Sequence, residues 1–91
     1  MRLSGQTVLV TGASKGIGRT LAVACAREGA DVILNYHSDR AGAESAAAEI
    51  RALGRRTLVV RADLGSVRQI DRMFERARKQ FKRLEIGRAH V

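Results

Sequence analysis

The 91-residue sequence has no proline, no tryptophan, one cysteine and three aromatic residues, Tyr36, Phe74 and Phe81. The lack of proline excludes proline-rich linkers and collagen-like repeats despite nine glycines. A lone Cys25 excludes an internal disulfide framework and a multi-cysteine metal site, and no metal is expected. The longest purely apolar stretch, residues 21–26, falls far short of the ~20 residues that span a bilayer. No charged start followed by an apolar run of signal-peptide length is present. No membrane partner is therefore expected, and the cytoplasm is the default location. Acidic residues are scarce, 9 against 17 basic ones, which gives a net charge of +8. Residues 1–50 are balanced, so the whole excess lies in residues 51–91. With so few aromatic platforms for stacked bases, nucleic acid is not the expected partner. Most of the basic residues are Arg, and Ala is abundant, as GC-rich codon usage would produce.

What is present is ordinary for a globular chain: 45% hydrophobic and 29% charged residues. The length allows one small domain with a marginal core. Residues 7–11 (TVLVT) form a short β-branched run that ends at Gly12, the pattern of a buried parallel strand. Ile17, Leu21, Ala24 and Cys25 then recur at helical spacing, and Gly29 marks the helix end. Residues 31–36 (DVILNY) predict a second strand. Residues 40–53 predict a helix with Ala43, Ala46, Ala47, Ile50 and Leu53 on one face, preceded by Asp39 as a cap and closed by Gly54. Residues 57–61 (TLVVR) predict a third strand. Ser66 is a candidate cap for a last helix marked by Val67, Ile70, Phe74, Ala77, Phe81 and Leu84.

This β-α-β-α-β-α alternation predicts an α/β fold with a parallel sheet. Right-handed crossovers and a strand order 3-2-1 put the first two helices on one face and the last on the other. A fourth strand would belong beside the first. The sequence reads as ending before it, leaving the first strand with an open edge.

Thr11-Gly12-Ala13-Ser14-Lys15-Gly16-Ile17-Gly18 carries the most chemistry. A strand runs into a glycine turn that opens a helix. Gly12 permits the tight turn, Gly16 allows backbone N–H groups to approach a diphosphate, and Gly18 allows close helix packing against the sheet. The helix N-terminus offers unpaired donors and partial positive charge, to which Ser14 and Lys15 add a hydroxyl and a full charge. The spacing is not G-x-G-x-x-G, and Lys15 precedes Gly16, unlike a P-loop. GASKG also fits a G-x-S-x-G nucleophile elbow with Ser14 as nucleophile. That device needs an earlier strand for its oxyanion hole and a histidine with an acidic partner. Ten residues precede Thr11, and the histidines are His37 and His90. A purely structural glycine turn is the remaining alternative.

The segment TGASKGIG resembles the cofactor turn of the short-chain dehydrogenase/reductase family, with closest similarity to beta-ketoacyl-acyl-carrier-protein reductases and their relatives. The likeness continues through GADVILNYHSD, the ALGRR turn, the strand ending at Asp63-Leu64 and the final helix with QFKRLE. It covers residues 1–85. The resemblance implies the N-terminal half of a Rossmann-type sheet and a partial NAD(P)-binding domain at residues 1–85. It implies cofactor contacts at Gly12, Ser14, Lys15, Gly16, Ile17, Gly18, Tyr36, His37, Ser38, Asp63 and Leu64, with Asp63 accepting from the adenine amino group.

NAD-specific sites carry an acid at the end of the second strand. Here that end reads Asn35-Tyr36-His37-Ser38, and Asp31 lies at the wrong end. The missing carboxylate favours NADP(H) over NAD(H), with Lys15, His37 and Ser38 as candidates for the 2′-phosphate.

The resemblance implies catalysis by a Ser and a Tyr-x-x-x-Lys pair, and no such pair is present: the one tyrosine is Tyr36, and position 40 is Arg. No catalytic residue is therefore assigned, and no turnover is expected of this chain. The resemblance implies that the intact parent transfers a hydride between the cofactor and a carbonyl or alcohol, as a homo-oligomer. Residues 86–91 (IGRAHV) depart from the apolar strand that the family shows next. Back-translated from Glu85 as GAG ATC GGA AGA GCA CAC GTC, this stretch resembles a widely used DNA-sequencing adaptor whose next triplet is a stop. It is expected to be a non-native tail; the alternative is a natural short protein that ends in a flexible basic tail. The alternative function is a small basic anion- or nucleic-acid-binding module that uses Arg68, Arg72, Arg76, Lys79 and Arg83 of the last helix.

Overall fold

The computed structural model describes residues 3–81 and the backbone of residues 86–89. Seven elements alternate along the chain: β1 (Thr7–Val10), α1 (Gly16–Arg27), β2 (Asp31–Tyr36), α2 (Arg40–Ala52), β3 (Thr57–Arg61), α3 (Val67–Gln80) and β4 (Ile86–Ala89). All strands pair in parallel in the order β3-β2-β1-β4. The 3-2-1 half of the sheet and its α/β class match the expectation from alternation and crossover handedness.

Strands β1 and β2 are apolar on both sides because both sides are covered. Val8, Val10, Val32 and Leu34 point to one face, where they pack with Ala22, Val23 and Ala26 of α1 and Ala46, Ala47 and Ile50 of α2. Leu9, Ile33 and Val60 point to the other, against Met73 and Ala77 of α3 and Phe81. The period-two alternation of the strands thus feeds two separate cores.

Two expectations need correction. First, the open edge of β1 is closed: β4 lies alongside it, with Thr7 opposite Ile86 and Val10 opposite Ala89. A parallel ladder is made of main-chain groups, so the unpaired edge of β1 can recruit IGRA although Gly and Ala are poor strand formers. Second, the apolar stripe on α1 is misplaced. The buried residues are Gly18, Ala22, Val23 and Ala26, whereas Ile17 is 72% exposed and Ala24 is exposed. Small residues face inward because α1 approaches the sheet and α2 closely, leaving no room for a larger stripe. Leu53 and Val67 are likewise exposed rather than core residues. Leu84 lies outside the described residues.

The end of the sheet remote from the glycine turn is braced by charge. The Asp31 carboxylate accepts from the Arg56 backbone N–H (2.8 Å) and from its Nε (3.1 Å). The same guanidinium sits 4.8 Å from the centre of the Phe81 ring, a cation–π contact joining the strand bases to the end of α3. Asp31 is therefore structural, as its position at the start of the strand implied.

Candidate functional site

The three helix N-termini differ. Asp39 caps α2 by accepting from the Gly42 N–H (3.0 Å), and Ser66 caps α3 by accepting from the Gln69 N–H (3.3 Å). Both caps were legible in the sequence. At α1 the cap position is Lys15, whose side chain makes no capping bond; its first turn, like those of α2 and α3, holds no acidic residue. The N–H groups of Lys15, Gly16, Ile17 and Gly18 donate to no protein group among the described residues. Ordinary caps contribute about 1 kcal/mol. An N-terminus left bare, acid-free and exposed is suited to an external anion.

The turn geometry keeps this terminus open. Gly12 (φ 61°) and Gly16 (φ 63°) are left-handed, a conformation that other residues adopt only at a steric cost. A Cβ on Gly16 would meet nothing within 4 Å, so the space before α1 is free for a ligand. Gly18 plays a different part from the one expected. A Cβ there would collide with the Gly12 carbonyl oxygen, so its missing side chain lets α1 pack on the turn itself rather than on the sheet. The Ala13 N–H donates to the Asn35 carbonyl (3.0 Å) and ties the turn to the end of β2.

The other candidate residues stand around the same carboxyl-terminal rim of the parallel strands. Tyr36 ends β2 and is buried, whereas His37 and Ser38 are exposed in the connection that follows. Asp63 follows β3 and is exposed. Its Oδ1 accepts from the Gly65 N–H (2.8 Å), and its own N–H donates to Gln69 Oε1 (2.8 Å). Ser14 is half-buried and Lys15 exposed. Ile17 and Leu64 are among the few large hydrophobic residues left exposed, at 72% and 44%. The elements thus bring the turn, the end of β2 and the end of β3 to one rim. No hydrogen bond joins His37 or Ser38 to Lys15 among the described residues.

Sequence reasoning missed three residues that shape this rim. Gly42, in the first turn of α2, lies so close to the Ser14 carbonyl oxygen that a Cβ would clash with it. Arg19 reaches from α1 to the Gly42 carbonyl (3.4 Å) and Ser45 Oγ (3.1 Å), with Glu49 at 3.5 Å. Asn35 is a buried amide at the end of β2 whose Nδ2 donates to the Ala62 carbonyl (3.2 Å). Only Asn35 left a signal, as a polar residue inside an apolar strand. Cys25 stands apart from the site: burial raises its thiol above the usual range, as befits a packing residue. Arg72 and Arg76 of the basic helix line an open cavity of about 340 Å³ with Arg61 and Gln69, none of them a cofactor candidate. Arg83 lies outside the described residues.

An uncapped helix N-terminus above the carboxyl ends of the parallel strands, on a sheet flanked by helices on both faces, places the chain in the Rossmann-type α/β class. The short chain dehydrogenase family model matches residues 6–86, and the chain belongs to that family. It is 42% identical over 85 residues to an uncharacterized oxidoreductase of Methylorubrum extorquens, which covers 93% of this chain and 34% of the relative. It is also 42% identical over 84 residues to the L-rhamnose 1-dehydrogenase (NAD(P)(+)) of a Sphingomonas strain, covering 92% and 33%. Among solved structures it is similar to hydroxysteroid dehydrogenase from Escherichia coli, with a TM-score of 0.88, 27% identity and coverage of 98% and 37%. The chain spans about a third of the length of the curated relatives it matches. These matches establish the family and do not single out beta-ketoacyl reductases. They lend no support to the nucleic-acid alternative.

No helix among the described residues is long and apolar enough to cross a membrane. No group of metal-ligating side chains occurs among them.

Proposed function

We propose that this chain is the cofactor-holding first part of a short-chain dehydrogenase/reductase that uses NADP(H) and acts on a carbonyl or alcohol. The observation that carries the reading is the uncapped, acid-free N-terminus of α1 behind an open Gly16. The N–H groups of residues 15–18 hold the diphosphate, aided by the helix dipole and the Ser14 hydroxyl. Lys15, His37 and Ser38 receive the 2′-phosphate, where a carboxylate would repel it. Asp63 accepts from the adenine amino group through the carboxylate oxygen not engaged by Gly65. Ile17 and Leu64 cover the apolar parts of the cofactor. When bound, the nicotinamide supplies or takes the hydride.

The proton-handling groups of the reaction lie outside this chain. Tyr36 cannot replace them, because it is buried and has Arg40 where a lysine would be needed. The 91-residue chain therefore binds without turning over. Residues 86–91 belong to a non-native tail in this reading, and the nucleotide sequence downstream of codon 85 tests that point. A genomic match that continues through those codons would overturn it.

Isothermal titration of the chain with NADPH and NADH tests the function. NADPH is expected to bind about tenfold more tightly, the scale of one charge-assisted contact. Lys15→Ala is expected to erase most of that difference. Equal affinity for the two cofactors would remove the NADP(H) assignment, and binding of neither would remove the whole reading.

A further inference from the structure

Asn35 is 2% exposed, near the end of a strand whose neighbouring positions, Val32, Ile33 and Leu34, are apolar. A buried amide in such a place is costly unless its polar atoms are engaged. Its two connections run in opposite directions. The backbone carbonyl accepts from the Ala13 N–H (3.0 Å), inside the glycine turn. The side-chain Nδ2 donates to the Ala62 carbonyl (3.2 Å), on the residue just before Asp63. Ala62 is held a second time through its own N–H, which donates to the Tyr36 carbonyl (3.0 Å). One residue of β2 therefore fixes both the loop after β1 and the loop after β3.

We infer that Asn35 is a positioning residue that sets the reach from the glycine turn to Asp63, so that a dinucleotide held at its diphosphate meets the carboxylate with its adenine amino group. The inference rests on the proposed cofactor reading and extends it to a residue that touches no ligand. Sheet formation alone does not call for an amide here, since an apolar side chain would continue the buried run of β2. What the amide adds is a directional bond to the carbonyl before Asp63. The backbone bond to Ala13 does not depend on the side chain, so substitution should disturb the adenine end and spare the diphosphate end.

The test measures binding of NADPH and of its hypoxanthine counterpart, which carries a carbonyl in place of the adenine amino group, to the 91-residue chain by ligand fluorescence. Inorganic pyrophosphate serves as a competitor that reads the turn alone. The unaltered chain is expected to prefer NADPH about tenfold, as one hydrogen bond to a charged acceptor provides. In Asn35→Leu and Asn35→Asp that preference should fall to about twofold or less, with pyrophosphate competition unchanged. Asp63→Ala should lose the preference equally, and the double variant should lose no more than either single one.

A preference kept in both Asn35 variants would overturn the inference. So would an equal loss of NADPH and pyrophosphate binding in folded variants, because the effect would then be general. If circular dichroism shows Asn35→Leu or Asn35→Asp unfolded, Asn35→Ala, which removes the amide without burying a charge, takes its place and decides the matter. An unaltered chain that binds pyrophosphate and both dinucleotides without preference overturns this inference and the Asp63 contact, and leaves the rest of the cofactor reading standing. A chain that binds none of the three removes both.

Discussion

Helices α2 and α3 begin on Asp39 and Ser66, whose oxygens satisfy their early amides, whereas α1 begins on Lys15 and leaves its amides bare. All three helices follow strands of one parallel sheet and start at the same rim. The difference shows how one structural device serves two ends. A capped N-terminus is complete in itself and contributes to stability, while an uncapped one forgoes that contribution and keeps its donors for a ligand. The glycines sharpen the contrast: Gly12 in the turn and Gly16 at the first position of α1 are both left-handed, whereas α2 and α3 open on residues with ordinary φ.

The strongest way to break this arrangement is to fill the contact between the turn and α1. Gly18→Val places side-chain atoms against the Gly12 carbonyl, where backbone must shift. Dinucleotide binding is expected to be lost, with a stability loss of about 1–3 kcal/mol from overpacking, read by urea denaturation. Abolished stability without loss of binding in the residual folded fraction would contradict it.

A subtler variant converts α1 into a helix of the other kind. Lys15→Asp supplies a capping carboxylate and an acid at the helix N-terminus. It should raise stability by about 1 kcal/mol while weakening NADPH binding at least about tenfold, because the carboxylate competes for the anion's donors. Opposite signs on the two measurements are the signature, and a gain in both would refute the division between capped and bare helices. The control is Ser66→Ala at α3, which should lower stability by about 1 kcal/mol and leave the affinity for pyrophosphate unchanged in titration.

The smallest expected effect lies away from all three termini. Thr57 Oγ1 is buried with no hydrogen-bond partner among the described residues. Thr57→Val keeps the shape and removes the orphaned hydroxyl, so the denaturation midpoint should rise by the equivalent of roughly 0.5–1 kcal/mol with NADPH affinity unaltered. A drop in stability would mean that the hydroxyl is satisfied in solution.

Much of this was readable from residue order, and the exceptions share a cause. Asp39, Ser66 and the glycine turn announce themselves through neighbours within four residues, so their roles are local. The stripe on α1 was misread because apolar size suggested Ile17 and Leu21, whereas the tight approach of the helix selects Gly18, Ala22 and Ala26. Gly42 looked like one small residue among many in an alanine-rich helix. Its contact with Ser14 spans 28 positions and exists only once α2 has docked. The closure of the β1 edge by residues 86–89 ran against strand propensity, because main-chain pairing at a free edge places little demand on side chains.

The amino-acid order by itself determined the alternation of strands and helices, two of the three caps and the glycine turn with its bare helix start, because each depends on backbone preferences and contacts a few residues long. Tertiary structure alone decided which face of α1 is buried, where Gly42 and Arg19 press on the turn, and how Asn35 links Ala13 to Ala62. Those features arise between segments distant in the chain, and their geometry is set by how closely the packed layers approach.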